Sequence, residues 1–211
     1  PTATPEPTPI PTPEIPAFLR ELEVNLGEKI QNYPGEVALA VVDLQNGKRI
    51  VIKGDDEHLL GCTAKIFILL SGVRDLEHGR YSQQEVDWAI DQMMGPSNDK
   101  QTKSLLDKTG LASVNQTLEE IGAQKTTFSH APNYQVEDPS FGWENLSTAE
   151  DLALILTKVY RGEFFSRALS AYAIENMTHS GEGCDACNHN IIIPKLLPPG
   201  TKVAHKIGFF S

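Results

Sequence analysis

An α+β fold is what this sequence predicts: an antiparallel sheet flanked by helices, with an all-helical lobe inserted between its strands. Three observations lead there. Two β-branched runs, 36–44 and 49–53, hinge on Asn46-Gly47, whose tolerance of positive φ suits a tight hairpin. Helical periodicities then dominate from about residue 83 to 177, and an extended run returns at 201–210. The expected division is a tether at 1–16 and a single domain at 17–211. Its sheet lobe comprises 17–60 and 200–211, and its helical lobe 61–199.

The tether follows from composition. Residues 1–16 hold seven of the fourteen prolines, with Thr and Glu between them, so the segment lacks the amide donors and apolar side chains that packing needs. It reads as an extended spacer of the kind that separates an exported domain from a signal peptide or an N-terminal membrane anchor. A secreted or cell-envelope-tethered location is therefore expected. From 17 to 31 the apolar residues Leu19, Leu22, Leu26 and Ile30 recur at helical spacing until Asn32-Tyr33-Pro34-Gly35 stops them. After the hairpin, residues 62–70 turn abruptly apolar and open another helix. Further helices are expected at about 83–94, 98–108, 112–121, 147–161 and 164–177, with Ser147-Thr148-Ala149-Glu150 as a capping box for the fourth. A loop-like region, 184–200, leads to the last extended run.

Composition also excludes some functions. A net charge of −10 and a pI near 5.0 are wrong for a polyanionic partner, since nucleic-acid binders carry a basic patch or stripe. No run approaches the roughly 18 apolar residues of a membrane span.

The chemistry centres on Cys62-Thr63-Ala64-Lys65. Residues three apart share a helical face, so Lys65 is expected within reach of the Cys62 sulfur, a nucleophile with a base beside it. A first-turn thiol also meets the positive end of the helix dipole, which favours the thiolate. A second cysteine feature, Cys184-Asp185-Ala186-Cys187-Asn188-His189, leaves three readings open: a small disulfide loop, a zinc site with His179 as a further ligand, or free thiols. His130, His179 and His205 read individually as surface or hydrogen-bonded residues rather than catalytic ones.

Three short motifs in order resemble those of the class A β-lactamase and penicillin-binding-protein superfamily. Cys62-Thr63-Ala64-Lys65 resembles its Ser-x-x-Lys, Ser97-Asn98-Asp99 its Ser-Asp-Asn, and Lys206-Ile207-Gly208 its Lys-Thr-Gly. Residues 145–152 are similar to the helix start that follows the family's Ω-loop. The resemblance implies acyl transfer without a cofactor on a β-lactam or D-Ala-D-Ala-like ligand. Cys62 would be the nucleophile, Lys65 the general base and Ser97 the proton shuttle, with Asp99, Lys206 and Gly208 binding the substrate.

The departures imply weak or altered chemistry. Asp99 is an acceptor where the family has an amide that also donates, and Ile207 supplies no hydroxyl. The carboxylate that activates the deacylating water has no counterpart in pattern, and Glu137, Asp138 and Glu144 are the nearby candidates. The alternative expectation is a non-catalytic protein of the same fold that binds a peptidoglycan-like peptide or another partner. In the family the strand bearing the third motif is followed by two more strands and a helix, so the chain is expected to continue past Ser211. The hairpin at 36–53 is expected to pair antiparallel with the 201–210 run.

Overall fold

A computed structural model describes residues 17–184 and 193–208. Helix α1 (Ala17–Gln31) precedes an antiparallel pair, β1 (Leu39–Val42) and β2 (Arg49–Ile52), in the register Leu39↔Ile52 to Val42↔Arg49. The loop between the strands is organised by Asp43, whose carboxylate accepts from Gln45 N and Asn46 Nδ2. Gly47 takes φ +73°, the positive value that the Asn-Gly pair leads one to expect.

The core is built around one helix, α2 (Lys65–Glu77), which is buried continuously from Lys65 to Asp75. A helix buried this continuously must be covered on every side, and four helices pack on this one: α3 (Gln83–Met94), α4 (Asp99–Thr109), α5 (Leu111–Ile121) and α7 (Arg167–Thr178). Phe67 meets Phe128 edge to face at 6.4 Å between ring centroids, a favoured aromatic geometry. Polar groups on the same helix are paired outward. Arg74 makes a two-pronged bond to Glu120, and Arg80 reaches Asp75 at 2.8 Å.

Helix starts are set by short polar side chains. Ser82 and Glu85 form a capping box on α3, Asn98 Oδ1 accepts from Gln101 N at the start of α4, and Ser166 caps α7. Helix α6 (Ala149–Arg161) is capped by Thr148, whose hydroxyl accepts from Asp151 N at 3.1 Å. The expected box beginning at Ser147 is therefore corrected by one residue. Ser147 instead points inward, 2.7 Å from Thr126 Oγ1.

The sheet differs from expectation. The described residues carry two separate two-stranded ladders, β1–β2 and a second formed by β3 (Glu57–Leu59) with β4 (Leu146–Thr148). Among the described residues the hairpin does not pair with the run expected at 201–210. Its described part, 201–208, forms no ladder and is held at His205, whose N–H donates to Met177 O at 3.0 Å. Apolar side chains of β1, α6 and α7 line a groove together with Ala204 of this run. The second ladder has a clear use: it brings Leu60 N onto Asn145 O at 3.1 Å, which fixes the turn that follows.

Candidate active site

Cys62 lies in a 3₁₀ turn, Gly61–Ala64, that feeds into α2, and Lys65 is the first residue of α2 itself. The expectation of a thiol in the first α-helical turn is thus corrected to a thiol just ahead of it. Cys62 is free and 8% exposed, whereas Lys65 is wholly buried.

A buried ammonium costs several kcal/mol unless paired and fully hydrogen-bonded, and Lys65 is both. Its Nζ donates to Asp99 Oδ1 at 2.7 Å, to Ser97 O at 2.7 Å and to Ser97 Oγ at 2.9 Å. Those three bonds use all three protons of an ammonium. Among the described residues no hydrogen bond joins Lys65 to Cys62, and the bonds of Lys65 go to Ser97 and Asp99 instead. The presence of Asp99 explains the difference, because a carboxylate draws the ammonium toward the start of α4.

The same bonds hold an unusual backbone. Ser97 has φ +62°, a left-handed conformation that costs a non-glycine residue roughly 1–2 kcal/mol. It turns the Ser97 carbonyl and hydroxyl toward one nitrogen, while Asn98, between the two site residues, points away to cap α4. Positions one and three of this tripeptide therefore converge on Lys65. Asn133 completes the cluster from the loop after α5. It too has positive φ (+67°), and its Nδ2 donates to Asp99 Oδ2 at 2.9 Å. Sequence reasoning missed Asn133. The available signal was the Pro132-Asn133 pair, since asparagine is the side chain other than glycine that most readily accepts a left-handed turn.

Lys206 reaches the same serine. Its Nζ donates to Ser97 Oγ at 3.2 Å and to Ile207 O at 3.3 Å. Burial, with the nearby Lys65 charge, pulls the Lys206 ammonium down to about 8, against the opposing influence of Cys62 and Asp99. Burial also holds His205 below the ordinary imidazole range, with Lys206 adding to the effect. Gly208 then crosses over the cysteine turn. A Cβ there would lie 2.1 Å from Leu60 O and 2.5 Å from Thr63 Oγ1, so only glycine lets the run sit this close.

A Gly208→Ala change is accordingly expected to destabilise the fold by about 1–3 kcal/mol, because backbone must move. Gly27→Ala, in α1 with nothing within 4 Å of the added carbon, should stabilise by roughly 0.5–1 kcal/mol. Urea unfolding of the two variants checks the contrast.

The three candidate carboxylates separate. Glu137 pairs with Lys103 at 3.0 Å, and Asp138 caps a short turn by accepting from Ser140 N. Glu144 lines a cleft with Cys62, His130, Pro132, Asn133 and Tyr134. Buried Asn145 anchors the loop that carries these residues, accepting from Ser129 N at 2.8 Å and donating to His130 O at 2.9 Å. His130 sits 2.7 Å from Ser129 Oγ. Its burial lowers its proton affinity, and the Glu144 charge raises it. Cys184 is disulfide-bonded, while Cys187 and His189 lie outside the described residues. His179 lies 3.7 Å from Glu175. Among the described residues no group of three or more His, Cys, Asp or Glu could hold a metal ion.

The arrangement presents two ammonium groups that share one serine hydroxyl, and a thiol in a turn crossed by a glycine. Comparison with known proteins gives a concordant result. A family model described as the beta-lactamase enzyme family matches residues 86–211. A search of curated proteins found no match. Among solved structures, the TLA-1 extended spectrum beta-lactamase superposes with a TM-score of 0.76 at 15% identity, covering 90% of this chain and 77% of that one. A beta-lactamase from Chitinophaga pinensis gives 0.72 at 15% identity, with 91% and 78% coverage. A mutant of PBP-A, solved as an acyl-enzyme complex with penicillin-G, gives 0.75 at 20% identity, with 90% and 78% coverage.

Proposed function

Because the chain belongs to the beta-lactamase enzyme family, we propose that it is an acyl-transfer protein of the cell envelope in which Cys62 takes the acyl group and releases it slowly. The observation that carries this reading is the shared serine. Ser97 Oγ accepts from both Lys65 and Lys206, so its own proton is left for a group in the cleft.

The step this supports is attack of the Cys62 sulfur on a strained or activated amide carbonyl. A C–S bond forms, the C–N bond breaks, the leaving nitrogen takes the Ser97 proton, and the thiol proton replaces it on Ser97. The Lys206 charge suits a ligand carboxylate, as in β-lactams and D-Ala-D-Ala peptides. Since that charge is lost on deprotonation, binding of such an anion should weaken as pH rises through about 8. Release is another matter. Hydrolysis of the thioester needs a water with a base, and a positioned base contributes about 10²–10⁴-fold. Of the three candidate carboxylates only Glu144 lines the cleft with Cys62, and it is exposed to solvent. An extracytoplasmic location is supported by the disulfide at Cys184, since such bonds persist in oxidising compartments, and by the Pro/Thr-rich tether at 1–16.

The test follows penicillin-G and a D-Ala-D-Ala peptide by intact mass and by product release in the same samples. The expected outcome is a mass increase of one whole penicillin-G, or of the peptide less its released D-Ala, that clears over many minutes. A second reading, a non-catalytic ligand binder, is favoured by one observation: Asp99 places a carboxylate in the cluster. Retained peptide binding by calorimetry without any adduct would establish that reading instead.

A further inference from the structure

We infer that Asn133 sets ligand specificity: its side-chain amide binds a secondary amide on the acyl side of the bond that Cys62 attacks. This inference rests on the acyl-transfer reading and adds a binding residue that lies outside the three motifs.

Residues Ala131 to Tyr134 form a turn closed by Tyr134 N, which donates to Ala131 O at 3.0 Å. Pro132 holds the second position and Asn133, at φ +67°, the third, where a turn with positive φ favours glycine. The turn itself therefore has no need of a side chain at 133. Ala131 and Pro132 are buried, whereas Asn133 is exposed and lines the cleft that also holds Cys62. Its Nδ2 donates to Asp99 Oδ2 at 2.9 Å. A carboxylate only accepts, so this contact fixes which end of the amide faces Asp99. One N–H and the carbonyl oxygen of the Asn133 side chain then have no bond among the described residues. One donor and one acceptor on a single planar group are the complement of another amide, whose N–H meets Oδ1 and whose carbonyl accepts from Nδ2. Glu144 shares the cleft, but an ionised carboxylate cannot serve a ligand carbonyl.

The order of groups along the site agrees. One chain of hydrogen bonds links Lys206, Ser97, Lys65, Asp99 and Asn133, with a cation at one end and a neutral amide at the other. Penicillin-G has the matching order: a carboxylate on the side of the leaving nitrogen, then the lactam carbonyl, then an acylamino group. With the carboxylate on Lys206 and the carbonyl at Cys62, the acylamino group is directed to Asn133.

The test compares penicillin-G with 6-aminopenicillanic acid, which keeps the lactam and the carboxylate but has an amine in place of the acylamino group. Affinities are measured by calorimetry in Cys62→Ala protein, where no thioester can form at position 62, with and without Asn133→Gly. Glycine accepts the positive φ without strain, so this variant removes the amide and spares the turn. The ratio of the two affinities is expected to fall by about 10-fold on Asn133→Gly, the worth of one or two neutral hydrogen bonds. Equal losses for both ligands, as from a residue that only steadies Asp99, overturn the inference, and so does an unchanged ratio. Acylation rates of protein that retains Cys62 should show the same fall in ratio. A wild type that never forms an adduct defeats the acyl-transfer reading alone, because the calorimetric ratio still accepts or rejects Asn133 as the amide's partner.

Discussion

Asp99→Ala is expected to cost about 3 kcal/mol of folding stability, since it leaves the fully buried Lys65 ammonium with neutral acceptors only. Stranding one partner of a buried pair costs about 3–5 kcal/mol, and the value is set at the low end because the Asp99 side chain is 37% exposed. Asp99→Asn keeps an acceptor for Lys65 and a partner for Asn133 after an amide flip, so about 1 kcal/mol is expected. Urea unfolding of both variants measures the difference. A loss below about 0.5 kcal/mol for alanine would mean that the ion pair does not hold the site together.

The largest functional effect is expected at Cys62. Cys62→Ala removes the proposed acyl acceptor, and the adduct should disappear while the fold survives, since the change deletes a single buried sulfur. Cys62→Ser supplies the hydroxyl found in the family's own motif. Its attack needs more help with the proton than a thiol does, and Lys65 is bound to Ser97 and Asp99 rather than to position 62. Acylation of the serine variant should therefore run about 10²-fold slower than wild type, and the combination of Cys62→Ser with Asp99→Asn should recover part of that loss by loosening Lys65. Intact-mass time courses of the three proteins give the comparison.

Much of this site was legible because its residues sit at helix starts. Cys62 and Lys65 precede and open a helix that is buried continuously from Lys65 to Asp75, and Ser97-Asn98-Asp99 carries an N-cap signature ahead of α4. Periodicity located α1 and α3 with little error for the same reason, since their apolar spacing is set within each helix. What local pattern could not show is pairing between distant short segments. β3 and β4 are three residues each and join positions almost ninety apart. Neither has the length to display alternation, although together they place the cysteine turn. The run at 201–208 has the composition of a strand, yet composition does not say which edge it meets. The direction of Lys65 was also beyond spacing alone: i to i+3 permits contact with Cys62, and the carboxylate at Asp99 decides against it. Asn133 acts through a left-handed turn in a loop, where sequence marks only the tolerance and not the partner.

Acyl transfer through Cys62 leaves a thioester at that residue. Tandem mass spectrometry of proteolytic peptides, taken from protein quenched in acid after incubation with penicillin-G, tests it most directly. The account expects a single acyl group on the peptide containing Cys62, carried on sulfur and absent from Cys62→Ala. Acylation of Ser97 or Thr63 instead, or turnover of the lactam by Cys62→Ala at the wild-type rate, would contradict it.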